Sequence, residues 1–417
     1  MSERYEHSAA AMTYSLILLL ALLTALDAMA IDMYLPAMPA LAMDFGASSG
    51  KVQQTLSVFL VGLALGQGIC GPLLDRYGRR IPLLAGLVIF IGGSVMAALS
   101  SSIEWLMLAR FLQALGASAG LVAPRAIVAD LYSVAESARI FSLLMQVMMI
   151  APILAPLLGG YLLAHGEWRL VFWVLAGLGG AGLIWGIRTI PESLSEEKRL
   201  ASRAGNLSPG NIVRAYVRQL GYGVFMAYTL AGGVIFGSLF VYISSSSFVF
   251  TQSFGLTPAQ FSYIFAANAV SLVIGGQIST TLLRRRVGEQ RIMMFGIVIH
   301  ILAGLVLSVL ILSGWIGLWG YLLLLATAIG ALGLVFGNLT ALTMAYAGRQ
   351  AGVASALMGM LQYLIAALVG YCASQVLQGP VVLPVVIVLC GVVAMLLCIM
   401  ASHMAQAAFS TCYDDRE

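Results

Sequence analysis

GPLLDRYGRR, residues 71–80, stands where one apolar run ends and the next begins. Gly71, Pro72 and Gly78 punctuate it, Asp75 is its only acid, and Arg76, Arg79 and Arg80 crowd its end with cations. In a chain of 417 residues, 61% apolar and only 9% charged, that density predicts a short, highly charged turn at a membrane surface. Cationic turns are retained on the cytoplasmic side during insertion, so the stretch also orients the chain.

Working outward, a mean hydropathy of +0.98 exclude a soluble globular domain and predict an all-α integral membrane protein. Crossing a bilayer takes about 20 apolar residues. Runs of that length fall at 13–35, 52–74, 81–99, 103–127, 138–163, 168–190, 221–245, 258–283, 291–313, 315–340, 351–377 and 380–402, twelve spans in all. The first is too long for a signal-peptide core and is read as a retained span. The one long polar interval, 191–220, splits the spans six and six. The expected organisation is a six-helix bundle over 1–190, a cytoplasmic linker over 191–220 with a short surface helix near Ile212 to Leu220, and a second bundle with a cytoplasmic tail over 221–417. With both termini inside, of 21 basic residues only Lys51 and Arg169 fall outside and Arg110 within a span. The asymmetry supports that orientation and reports topology, not nucleic acid binding.

Charge inside the membrane needs a reason, since an ionised side chain at a span centre costs about 2.5–3.5 kcal/mol on insertion scales. Asp27 and Asp32 on the first span and Arg110 on the fourth share a depth band, roughly 4, 12 and 7 Å to the outer side of the midplane at about 1.5 Å per residue. An arginine nearby favours an ionised acid and burial favours a protonated one, which together suit a carboxylate that takes up and releases protons. Asp27 and Asp32 lie some 140° apart around the helix, so only one of them faces a shared cavity.

The pattern G-x-L-x-D-R-x-G-R-R resembles the loop between helices 2 and 3 of the major facilitator superfamily, the twelve-helix secondary transporters. Ala30-Ile-Asp-Met-Tyr-Leu-Pro-Ala-Met-Pro39 is similar to the end of helix 1 in the Bcr/CflA drug-resistance transporters. Arg110-Phe-Leu-Gln-Ala-Leu-Gly116 resembles the helix 4 motif, whose arginine is assigned to proton transfer, and Arg125 and Asp130-Leu-Tyr132 continue it. Ala151-Pro-Ile-Leu-Ala-Pro-Leu-Leu-Gly-Gly160 resembles the helix 5 antiporter motif, with Ala151 and Ala155 where the wider superfamily prefers glycine. Trp168-Arg169, Pro191-Glu192, Asn268, Asn338 and Ala354-Ser-Ala-Leu357 extend the likeness. The second-half echo of the charged loop, Leu283-Arg-Arg-Arg-Val-Gly288, has no acid.

The resemblance implies a proton-coupled exporter of drugs or other small amphipathic compounds, of amphenicol or bicyclomycin type, working by alternating access. A proton-coupled transporter of a metabolite such as a nucleoside, sugar or amino acid is the alternative. Proton coupling falls to Asp32, Asp27 and Arg110. Tyr34, Gln113, Gln146, Tyr242, Asn268, Asn338 and Gln362 either line a substrate cavity or bond neighbouring helices. Gating falls to Gly71, Asp75, Arg76, Gly78, Arg79, Arg80, Arg125, Pro156, Gly159 and Gly160, with Asp75 expected to hold an arginine of its own loop and amides at the start of a helix such as that near Ala351. The small-residue pairs Gly62 and Gly66, Gly116 and Gly120, and Gly333 and Gly337 are read as packing faces within a monomer.

No catalytic dyad is evident, five cysteines form no C-x-x-C pair, and the four histidines show no metal spacing, so neither an enzyme nor a metal site is expected. The Gly46–Val52 stretch is one residue short of a phosphate loop. The expected partners are a small-molecule substrate, protons and the lipid bilayer of a bacterial inner membrane, with no cofactor beyond the proton gradient as driving force.

Overall fold

The computed structural model describes residues 2–194, 209–315, 317–348, 351–376 and 379–414. Helices fill them and no strand occurs among them. In chain order these are α1 Ser2–Asp32, α2 Met38–Asp44, α3 Ser49–Tyr77, α4 Arg80–Ala98, α5 Ile103–Leu131, α6 Val134–His165 and α7 Arg169–Thr189. There follow α8 Pro209–Leu220, α9 Gly223–Phe248, α10 Pro258–Arg284, α11 Glu289–Leu312, α12 Leu318–Ala345, α13 Ala351–Val376 and α14 Val382–Asp414. Among the described residues, 12 segments are long and apolar enough to cross a bilayer, with α1 and α2 in one of them.

Local chemistry sets the helix starts. Ser102 caps α5, its Oγ accepting the Trp105 N–H, and α6 and α10 open on reciprocal capping boxes, Ser133 with Glu136 and Thr257 with Gln260. Pro258 follows the second box at a position where a missing N–H costs nothing.

Two expectations are corrected. The first span was expected to run unbroken to Leu35, but α1 stops at Asp32 and a 3₁₀ turn, Leu35–Ala37, leads into α2. Pro36 and Pro39 have no N–H to give a continuing helix, and each sits in the first turn of a short new one. The GPLLDRYGRR stretch is likewise not all turn. α3 continues through Pro72, Asp75 and Arg76 to Tyr77, and only Gly78 and Arg79 separate it from α4. Gly78, at φ +93°, ends the helix in a conformation that other L-residues rarely adopt.

The chain divides into two compact units, Met1–Ala47 with Val58–Asn211 and Ser48–Ser57 with Ile212–Glu417. The first turns of α3 therefore pack with the second unit, where Ser245 Oγ donates to Gln53 Oε1 at 3.3 Å and Gln54 Nε2 to Ser374 Oγ at 3.4 Å. Of the linker anticipated over 191–220, residues 195–208 lie outside the described ones, and the expected surface helix is α8.

Candidate functional site

Within the first unit, the buried charged groups gather around the end of α1. Arg110 on α5 is fully enclosed, at 0% exposure. Its Nη1 donates to the Ala30 carbonyl at 2.9 Å and to Gln113 Oε1 at 2.6 Å. Gln113 Nε2 in turn donates to Ser94 Oγ on α4 at 2.8 Å, and the Ser94 hydroxyl donates to the Phe90 carbonyl at 2.7 Å. Around the guanidinium stand the rings of Phe59, Tyr34 and Phe172, at 4.2, 4.9 and 5.8 Å. Desolvated cation–π contacts of this kind contribute about 2 kcal/mol or more. Nε and Nη2 have no hydrogen-bond partner.

Asp27 and Asp32 are both buried on α1, at 5% and 4% exposure, and Asp27 Oδ1 has no hydrogen-bond partner. The sequence placed an arginine and these acids at one depth. They do share a unit, but among the described residues Arg110 forms no ion pair; its closest anchor on α1 is the backbone carbonyl of Ala30, between the two acids. A helix carbonyl satisfies a guanidinium without compensating its charge. The site therefore offers buried carboxyls and a buried cation as separate groups, each able to respond to a change in its surroundings.

The other cavity candidates are divided between the two units. Tyr34 and Gln113 belong to the Arg110 cluster, and Gln146 is exposed on α6. In the second unit Asn268 Nδ2 donates to the Tyr242 hydroxyl at 3.0 Å while that ring stacks on Phe265 at 5.3 Å. Asn338 is committed to Ser279 Oγ and the Leu334 carbonyl, both at 2.7 Å, and Gln362 lies half-buried against Gly232. His300 is a core residue, 3.1 Å from Ser238 Oγ and 2.8 Å from the Ala328 carbonyl.

A second polar cluster surrounds the turn from α3 to α4. Arg79 Nη1 meets Asp75 Oδ1 at 2.5 Å and its Nε meets Asp130 Oδ2 on α5 at 2.8 Å. Burial works against the Arg79 charge, but the hydrogen bonds to Asp130 and Asp75 outweigh it and hold the guanidinium above its ordinary pKa. Glu192, just beyond α7, accepts the Arg79 N–H at 2.8 Å and the Arg80 N–H at 3.3 Å, satisfying amides at the start of α4. Arg80 reaches the Ile187 carbonyl at 2.7 Å, and a Cβ on Gly78 would strike the Glu192 carboxylate. Gly71 lies inside α3, and Arg76 and Arg125 are exposed. On α6, Pro156, Gly159 and Gly160 are buried, with Gly159 against the Met33 carbonyl at the end of α1.

Sequence reasoning missed Ser94 and Phe59, whose types are unremarkable in apolar spans. It quoted Asp130 and Glu192 without their partner Arg79. The signal for Glu192 was an acid directly following a span, next to a basic turn on the same side.

A family model described as Major Facilitator Superfamily matches residues 20–371. The chain belongs to the major facilitator superfamily. This transporter is 36% identical over 361 residues to the uncharacterized MFS-type transporter YdgK of Bacillus subtilis, spanning 85% of the chain and 87% of that relative. It is 28% identical over 360 residues to the bicyclomycin resistance protein homolog of Haemophilus influenzae, covering 86% and 88%. With the multidrug resistance protein MdtL of Escherichia coli it shares 28% identity over 375 residues, covering 88% and 90%. Two of these relatives carry drug-resistance names, in line with the Bcr/CflA likeness read from Ala30 to Pro39. Among solved structures, a D-xylose-proton symporter matches with a TM-score of 0.76 at 15% identity, covering 93% of this major facilitator protein and 97% of the other, a likeness of fold alone.

Proposed function

We propose that this membrane transporter exports drugs or other small amphipathic compounds in exchange for protons, by alternating access, and works as a monomer with both termini in the cytoplasm. The observation that carries the coupling is the burial of Asp27 and Asp32 in the same unit as Arg110, with no ion pair among the described residues to hold them ionised. A carboxyl that alternates between hydrocarbon and water binds a proton in the first and releases it in the second. Asp32, at the break between α1 and the 3₁₀ turn, is assigned the exchanging proton; Arg110, held against Ala30, positions that end of α1. The gradient itself is the energy source, without a cofactor.

Export as the direction rests on the resistance names of the Haemophilus and Escherichia relatives. A monomer is supported by the first-unit glycine faces packing internally, whereas Gly337 of the second unit, expected to pack with Gly333, is exposed with nothing within 4 Å. Gly62 and Gly66 of α3 abut Phe111, Ala114 and Ser118 of α5, all within the first unit. Cytoplasmic termini follow from the distribution of basic residues.

The test is expression in a drug-sensitive bacterium challenged with amphenicols and bicyclomycin. Export raises the inhibitory concentration of at least one compound severalfold and lowers its accumulation, and Asp32→Asn and Arg110→Lys abolish both effects. Increased accumulation of a compound would reverse the assigned direction.

A further inference from the structure

α8, PGNIVRAYVRQL, lies outside the membrane-spanning segments and yet exposes apolar side chains. At about 100° per residue its described positions fall on three faces. Tyr216 and Gln219, three apart, turn inward: Tyr216 packs beside the buried cluster of Phe225, Ala347, Ala354, Leu357 and Met358, and Gln219 is only 3% exposed. One residue further round, Val217 and Leu220 form an apolar stripe at 61% and 46% exposure. One further again, Arg218 joins Arg214, four residues before it, in an exposed cationic edge. α8 contains no acid.

Its position is as informative as its faces. The Gly221 N–H bonds to the Arg218 carbonyl at 3.1 Å and the Tyr222 N–H to the Gln219 carbonyl at 3.2 Å, and the span α9 begins at the next residue, Gly223. The end of α8 is thus tied to the membrane boundary. Because α8 follows the sixth span and the Gly78 turn the second, both lie on the same side of the bilayer.

We propose that α8 lies in the membrane interface, with Val217 and Leu220 among the upper acyl chains and Arg214 and Arg218 on the headgroups of anionic phospholipids. An apolar stripe flanked by cations, at the level of a span's first residue, is the arrangement an interfacial helix requires. A negatively charged leaflet supplies the complement that the two exposed arginines call for.

The experiment uses the full chain carrying V217C, labelled with an environment-sensitive dye and reconstituted into vesicles of phosphatidylcholine alone or with phosphatidylglycerol added. The same chain without V217C sets the background from the native cysteines. In anionic vesicles the dye should be protected from aqueous iodide and quenched by brominated acyl chains. The ratio of lipid to aqueous quenching should fall by about fivefold for each of R214Q and R218Q, and on raising salt. Equal iodide quenching in both vesicles would overturn the proposal. So would protection from iodide and bromine alike, which would mean that protein covers the stripe, or lipid quenching indifferent to headgroup charge and to the arginine substitutions.

Discussion

Arg79 is the residue on which the turn from α3 to α4 hangs. Its two acids differ in exposure, with Asp130 14% and Asp75 48% accessible at the side chain. Asp130→Asn should therefore lower the stability of the protein by about 1.5–3 kcal/mol, as loss of a shielded charge-assisted bond does, and Asp75→Asn by clearly less; thermal unfolding in detergent measures both. At the start of α6, hydrogen bonds from the Ser133 hydroxyl and N–H hold the Glu136 carboxyl below its ordinary value of 4.5. A carboxyl with a lowered folded-state pKa contributes stability above its unfolded value, lost as pH falls through the folded one. The protection of first-turn amides in α6, taken as a ratio to Glu136→Gln, should hold above pH ~4.5 and collapse below it. Hydrogen exchange reads that ratio. At this scale the sequence named the right chemistry and not its partners. Arg110 was legible as a buried cation, but its bonds to Ala30 and Gln113, and through Gln113 to Ser94, depend on how three helices cross, which no local pattern encodes.

Among the elements, the tightest approach tied to the proposed coupling site is that of α6 to the end of α1. A Cβ at Gly159 would collide with the Met33 carbonyl, a backbone atom that cannot swing away. Gly159→Ala should cost about 1–3 kcal/mol of stability, the range for overpacking, and reduce transport, because Met33 directly follows Asp32. Gly177→Ala on α7, where nothing lies within 4 Å of the added methyl, should change neither. Paired thermal melts and transport assays of the two variants check this. Helix existence was legible throughout, because runs of about 20 apolar residues have few alternatives in a bilayer. Boundaries were less so: charge density made 71–80 look like a loop, whereas a helix that has left the hydrocarbon carries Asp75 and Arg76 without penalty.

For the whole molecule, the count of spans was readable from hydropathy, while the packing of Ser48–Ser57 within the second unit was not, since it depends on side-chain contacts such as Gln53 with Ser245. The proposed orientation rests on the distribution of charge. A cysteine introduced at Gly46 should react with an impermeant maleimide from outside intact cells, and one introduced at Gly288 should not. The coupling proposal makes the strongest demand. In proteoliposomes with an imposed pH gradient, a transported amphenicol or other antibiotic should drive protons opposite to its own movement, and Asp32→Asn should abolish that flux while the reconstituted amount of protein is unchanged. Proton flux running with the compound, or full coupling retained in Asp32→Asn, would contradict the account.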